Sequence, residues 1–220
     1  MIHTFVLPRS GAVVLIATGL LIPAAWCQGK DSPYYRFQLD GNAGYMSTQG
    51  GNSSGSSASP GGGFTVGYRA VRHFMVESGV DFRYGNLFPE TAAIAQDSSG
   101  KQSSATITDH TLFVPIGGRA VLPLQHGRVL LSAGGGVGVV HNYEKAVGGG
   151  SQIDCNGFCT SHTTAGPYET VQALFLLDKR GHFGAGFGAR FAEVKIKGGA
   201  LDSIERNNWL QLTGTISCRF

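Results

Sequence analysis

Charge is scarce in this chain. Asp, Glu, Lys and Arg make up 14% of the 220 residues, against about a quarter in an ordinary soluble domain. The formal net charge is only +3, and the basic residues are scattered with no run among them. That excludes the dense basic face of a nucleic-acid-binding domain. Long apolar runs are absent beyond the N-terminal region: no later segment approaches the roughly 18 residues a spanning helix needs. No stretch after residue 30 carries a convincing helical period either. Cysteine is limited to four positions, 27, 155, 159 and 218.

What is abundant is glycine, 34 residues, about twice the usual share. Apolar residues are not rare at 42%. They are interleaved with polar ones rather than massed. The exception is the N-terminus, where Arg9 precedes "GAVVLIATGLLIPAAW" and then "CQGK". A basic start, an apolar core and small residues before a polar stretch read as a secretory signal peptide. Cleavage after Cys27, with Ala25 at the −3 position, divides the chain into a signal peptide, 1–27, and one mature domain, 28–220. A lipoprotein signal with Cys27 acylated is the rival, and Trp26 fits it poorly because a small residue is expected there.

Export bears on "CNGFC". In an oxidising compartment Cys155 and Cys159 are expected to close a small loop disulfide. The alternative, a metal site, needs two further ligands, and only His162 lies near. Cys218 has no evident partner.

From residue 34 onward the dominant pattern has period two. Tyr35, Phe37, Leu39, Gly41, Ala43 and Tyr45 alternate with Arg36, Gln38, Asp40 and Asn42. Phe64, Val66 and Tyr68 alternate with Thr65, Gly67 and Arg69. Phe74, Val76, Val80, Phe82 and Tyr84 alternate with Glu77, Asp81 and Arg83. "TLFVPIGGRA" sets Leu112, Val114 and Ile116 against Arg119, with Pro115 marking a weak ladder position or a bulge. "RVLLSAGGGVGVVHNY", "YETVQALFLLD" and "HFGAGFGARF" continue the alternation, although Leu174 and Leu176 break the polar side of the second. The last segment, "NNWLQLTGTISCRF", sets Leu210, Leu212, Ile216, Cys218 and Phe220 against Trp209, Gln211, Thr213, Thr215, Ser217 and Arg219. Alternation of this kind is the mark of strands with one apolar face.

The segments number eight, and their connections alternate long and short: "TQGGNSSGSSASPGG", "VRH", 86–104, "VLPLQHG", 144–166, "DKRG", 194–206. Antiparallel strands send successive connections to opposite ends. All long loops therefore gather at one end and all tight turns at the other. An even strand count with this asymmetry predicts an all-β, eight-stranded antiparallel up-and-down transmembrane barrel of the outer-membrane kind. In hydrocarbon every backbone polar group must be paired, so the sheet must close and the final segment must pair with the first.

The two faces are then assigned by space. Eight strands leave an interior just wide enough for side chains. The many Phe and Tyr residues of the apolar face would overfill it. The polar face, with Arg36, Asp40, Arg69, Glu77, Asp81, Arg83, Arg119, Arg190 and Arg219 interleaved with glycines, is expected inside as a charge network with mixed signs. The glycines 134, 136, 138, 184, 186 and 188 are expected to give arginines room. Tyr35, Tyr45, Tyr68, Tyr84, Tyr143 and Phe220 are expected in aromatic girdles at the two membrane interfaces. A largely closed lumen disfavours a general pore.

"VPIGGRA", "GGGVGVV", "GAGFGARF" and the terminal Phe, on eight alternating strands after a signal peptide, resemble the bacterial outer-membrane β-barrel family. That family includes the OmpA-type transmembrane domain and opacity-type surface proteins. The resemblance covers residues 33–220. It implies a bacterial outer-membrane location, a monomer in outer-membrane lipid, and delivery by the barrel-assembly machinery. It also implies that Leu212, Ile216, Cys218 and Phe220 form the assembly signal, although Cys218 is smaller than the apolar residue usual at its position. The implied function is non-enzymatic: a structural or adhesin-like surface role through four long loops, with an extracellular partner. Binding or passage of small hydrophobic molecules is the alternative, and lipid A modification a weaker one. For the last, His110, His141 and Glu144 lie near the outer strand ends, without a His and Ser two residues apart on one face. "GGGVG" and "GAGFG" fall inside period-two runs rather than between a strand and a helix, so they are not read as nucleotide loops. No cofactor or metal is expected.

Overall fold

The computed structural model describes residues 35–49, 57–83, 91–96, 102–148, 151–152, 159–197 and 205–220. The signal peptide, the "CNGFC" pairing and Tyr84 fall outside the described residues or side chains. The strands are β1 Phe37–Gln49, β2 Ser57–Val71, β3 Phe74–Arg83, β4 Thr91–Gln96 and β5 Gln102–Leu124, followed by β6 Val129–Gly148, β7 Ser151–Gln152, β8 Cys159–Leu176, β9 Phe183–Lys197 and β10 Glu205–Arg219.

All pairings are antiparallel between chain neighbours, apart from the seam of β1 with β10. The pairing of β5 with β6 closes the ring, so eight strands form the barrel. The two short strands, β4 on β5 and β7 on β6, extend it at the long-loop end. The seam is continuous from Gln38 opposite Arg219 to Gln49 opposite Asn208. Phe37 and Phe220 complete it with reciprocal backbone hydrogen bonds of 2.8 and 3.0 Å. Their rings stack 5.9 Å apart.

The strands run farther toward the loops than alternation indicates. β5 begins at Gln102, β6 continues to Gly148 and β8 starts at Cys159. Beyond the bilayer both faces of a strand meet water, so selection for an apolar side ends there. Pairing persists in Thr-rich segments such as 160–164 because β-branched residues still favour an extended backbone.

Pro115 does not produce a bulge. The ladder between β3 and β5 omits Gly79 and Val80, which face Pro115 and Val114, but the register on either side is unchanged. Proline removes a donor without adding a residue. At the opposite end the turns are tight. Between β5 and β6, Gln125 (φ 48°) and His126 (φ 57°) adopt the left-handed conformation ahead of Gly127.

The apolar parity faces outward. Ile216 is 74% exposed and Phe187 62%, and Phe37, Leu39, Tyr45, Phe64, Val66, Tyr68, Val137, Phe175 and Leu212 share that surface. In water this would be a very large exposed apolar patch. As a belt around a closed barrel it is the surface that hydrocarbon requires.

Candidate functional site: a packed polar lumen

The inward parity builds the site. Each strand alternates, so charged residues two apart line the interior at successive heights. Asp40 on β1, Glu77 on β3 and Arg119 on β5 converge, the last two from paired strands and Asp40 from two strands away. Arg119 is 2.6 Å from Glu77 and 3.6 Å from Asp40. It also donates to the Gln172 carbonyl at 2.7 Å, and the Gln172 amide donates to Asp40 at 3.2 Å. Gln38 donates to both Asp40 oxygens at 3.0 Å. Tyr168 donates to Glu77 at 3.0 Å.

A second node lies toward the long loops. Arg190 pairs with Asp81, and its guanidinium sits 5.5 Å from the Phe113 ring centre and 5.6 Å from that of Tyr168. Such faces attract a desolvated cation. Farther out, Arg83 is fully buried and donates to Thr111 at 3.1 Å, which in turn donates to Asn142 at 2.8 Å. Arg69 is also buried. Arg36, expected in the lumen, is exposed: it precedes β1 at the short-turn rim, where the ladder no longer aims side chains inward.

The lumen is not charged throughout. Met46, Phe113, Val140, Tyr168, Ala192, Val194 and Trp209 form an apolar cluster toward the long-loop end. Phe113 and Trp209 stack within it, 5.5 Å apart. Met75, Val121, Leu130, Leu174 and Leu176 form another toward the tight turns. The two leucines that spoil the polar side of β8 are therefore plugs of the short-turn end. The glycines also serve differently from expectation. A Cβ at Gly138 would come within 2.5 Å of the Phe113 ring, and one at Gly184 within 2.9 Å of Leu174. Those two make room for apolar plugs; at Gly134 a Cβ would first meet the Gly118 carbonyl and the Arg119 backbone and only then the Arg119 side chain, so that glycine chiefly permits the close approach of β5.

Between the two clusters remains a polar cavity of about 20 Å³, bordered by Asp40, Arg119, Gln172, Arg190, Gln211 and Thr215. That is room for about one water. Among the described residues no group of three or more His, Cys, Asp or Glu side chains is placed to hold a metal.

The remaining predicted residues lie outside the lumen. Leu212, Ile216 and Phe220 are exposed on the outer wall, with Cys218 half-buried among them. His141 faces outward, its Nδ1 2.8 Å from the Thr163 hydroxyl. His110 stacks on Phe82. Tyr35 is not a girdle residue. It lies beneath the barrel, its ring over Arg219.

Closed ring, apolar belt and packed polar lumen together define a transmembrane β-barrel of the outer-membrane class. Solved structures agree on the fold. The chain is similar to Neisserial surface protein A, with TM-score 0.52 and 12% identity over 84% of this chain and 97% of that one. It is similar in the same way to the outer membrane protein OprG from Pseudomonas aeruginosa, with TM-score 0.50 and 12% identity over 86% and 99%. No protein-family model and no curated protein matches the sequence.

Proposed function

We propose that the protein is a non-enzymatic outer-membrane barrel whose function is carried by its long-loop end, as a structural or surface-interaction protein. One observation supports this most: the lumen is filled by interleaved ion-pair and apolar layers, while β5, β6 and β8 continue past the belt and carry the loops outward. The long-loop end faces the exterior, the usual orientation of such barrels. The outward row Leu212, Ile216, Cys218 and Phe220 serves as the signal read by the barrel-assembly machinery.

Two measurements test this reading. In planar bilayers the protein should give no steady ohmic conductance, and a stable open pore would contradict the packed lumen. Replacing residues 149–158, the connection between the extended β6 and β8 that includes Cys155, by a short Gly/Ser linker should leave the barrel heat-modifiable on gels and reduce attachment of expressing cells to surfaces. Unchanged attachment would count against a surface role for that loop. A second reading, passage of small hydrophobic molecules through the wall, draws on the interrupted ladder at Pro115. Uptake of an apolar dye that depends on this barrel would favour it.

A further inference from the structure

We propose that the short-turn end carries a proton-operated latch, in which protonated His182 fastens Tyr35 to the β8–β9 turn and to the β1–β10 seam. The inference rests on the barrel and not on the surface role proposed above.

The contacts converge on one imidazole. The Tyr35 hydroxyl donates to the Arg180 carbonyl at 2.5 Å. Its ring lies 5.1 Å from the Arg219 guanidinium carbon and 4.7 Å from the His182 ring. Arg219 donates from its side chain to the Gly181 carbonyl at 3.1 Å and from its backbone to the His182 carbonyl at 2.7 Å. His182 reaches back to both partners: Nδ1 is 3.0 Å from the Arg219 carbonyl oxygen, and Nε2 is 3.3 Å from the Tyr35 oxygen.

Counting protons decides the charge state that fits. A carbonyl oxygen only accepts, so His182 Nδ1 must carry a proton whether the ring is neutral or cationic. The single Tyr35 proton is committed to Arg180. Nε2 can therefore bond to Tyr35 only by donating a proton of its own, which makes the ring an imidazolium. In the neutral ring two lone pairs face each other across that gap. Protonation completes the network, so the latch tightens as pH falls.

The charged neighbours pull both ways. Arg219 opposes a cation at His182. Asp178 favours one: its Oδ1 accepts from the Phe183 amide at 2.8 Å. That amide bond, with a smaller contribution from His182, holds its carboxyl below the usual carboxylate range. Lys179, Arg180 and Arg36 are exposed to solvent at the same end and are screened. Tyr35 supplies the hydroxyl itself.

The latch lies outside the ladder and ties both seam strands to a third element. Thermal unfolding of the full-length protein in detergent micelles, at about pH 5.5 and about pH 8, tests it. Tyr35→Phe removes the hydroxyl and keeps the ring on Arg219. It should lower the unfolding midpoint more at the acid pH than at the alkaline one. In a His182→Gln background the same change should cost equally at both. An equal or zero effect of Tyr35→Phe at the two pH values in the otherwise native chain would overturn the proposal. So would a pH difference that survives His182→Gln.

Discussion

Arg119→Ala should destabilise the barrel by about 3–5 kcal/mol. The reason is the neighbourhood left behind. Glu77 and Asp40 are both buried and both lie against this guanidinium, at 2.6 and 3.6 Å. Without it two carboxylates share one enclosed space. Each keeps some partners, Tyr168 for Glu77 and Gln38 with Gln172 for Asp40, but those are neutral. Arg119→Lys should recover only part of the loss, since an ammonium cannot reach Glu77 and Gln172 with a planar fork. Adding Glu77→Gln to Arg119→Ala should restore stability relative to the single variant, because the uncompensated charge is then reduced. Urea unfolding in lipid vesicles, followed by tryptophan fluorescence, measures all three. A loss below about 1 kcal/mol for Arg119→Ala would mean that water, not protein, solvates these carboxylates.

Ile216→Arg should cost about 2–4 kcal/mol in a bilayer. Ile216 lies on the outward face of β10, three residues before the strand's end and midway between Leu212 and Phe220, and pairs with Gly41 across the seam and Ala185 on β9. Its outward neighbours Leu212 and Phe220 are apolar and exposed, so an arginine there would face hydrocarbon without a polar partner. The same substitution at Ser161, on the outer face of β8 beyond the belt, should change stability by less than about 0.5 kcal/mol. The contrast matters because both sites are exposed: Ser161 is exposed and so is Ile216. A soluble barrel would tolerate both. Equal, small effects at the two positions would therefore be incompatible with a lipid-facing belt.

Much of this was legible in the sequence where two constraints coincide. On β1, β2, β3 and β9 the outer face meets lipid and the inner face meets a polar lumen, so alternation is clean and gives register as well as facing. Trp209 and Arg219 could be placed inward by parity alone. What lies opposite them could not. Phe113 on β5, Tyr168 on β8 and Trp209 on β10 meet through the stagger of a tilted barrel, which joins residues far apart in sequence at one height. Pairwise spacing carries no record of that stagger, so in the sequence Leu174 and Leu176 look like interruptions and Gly138 looks like space for an arginine. Arg36 and Tyr35 were misplaced for a different reason. They sit at or before the strand end, where backbone pairing stops dictating direction, and Tyr35 turns under the barrel instead of out to lipid.

Spin labels in reconstituted vesicles test the central claim most directly. With all native cysteines replaced, single labels are introduced through Val137→Cys, Phe187→Cys and Ile216→Cys on the belt and through Ser161→Cys beyond it. Belt labels should collide freely with oxygen dissolved in the bilayer and be shielded from a water-soluble nickel complex, while the label at position 161 shows the reverse. Belt labels that the nickel complex reaches as readily as position 161 would contradict a membrane-embedded barrel with its apolar face turned to lipid.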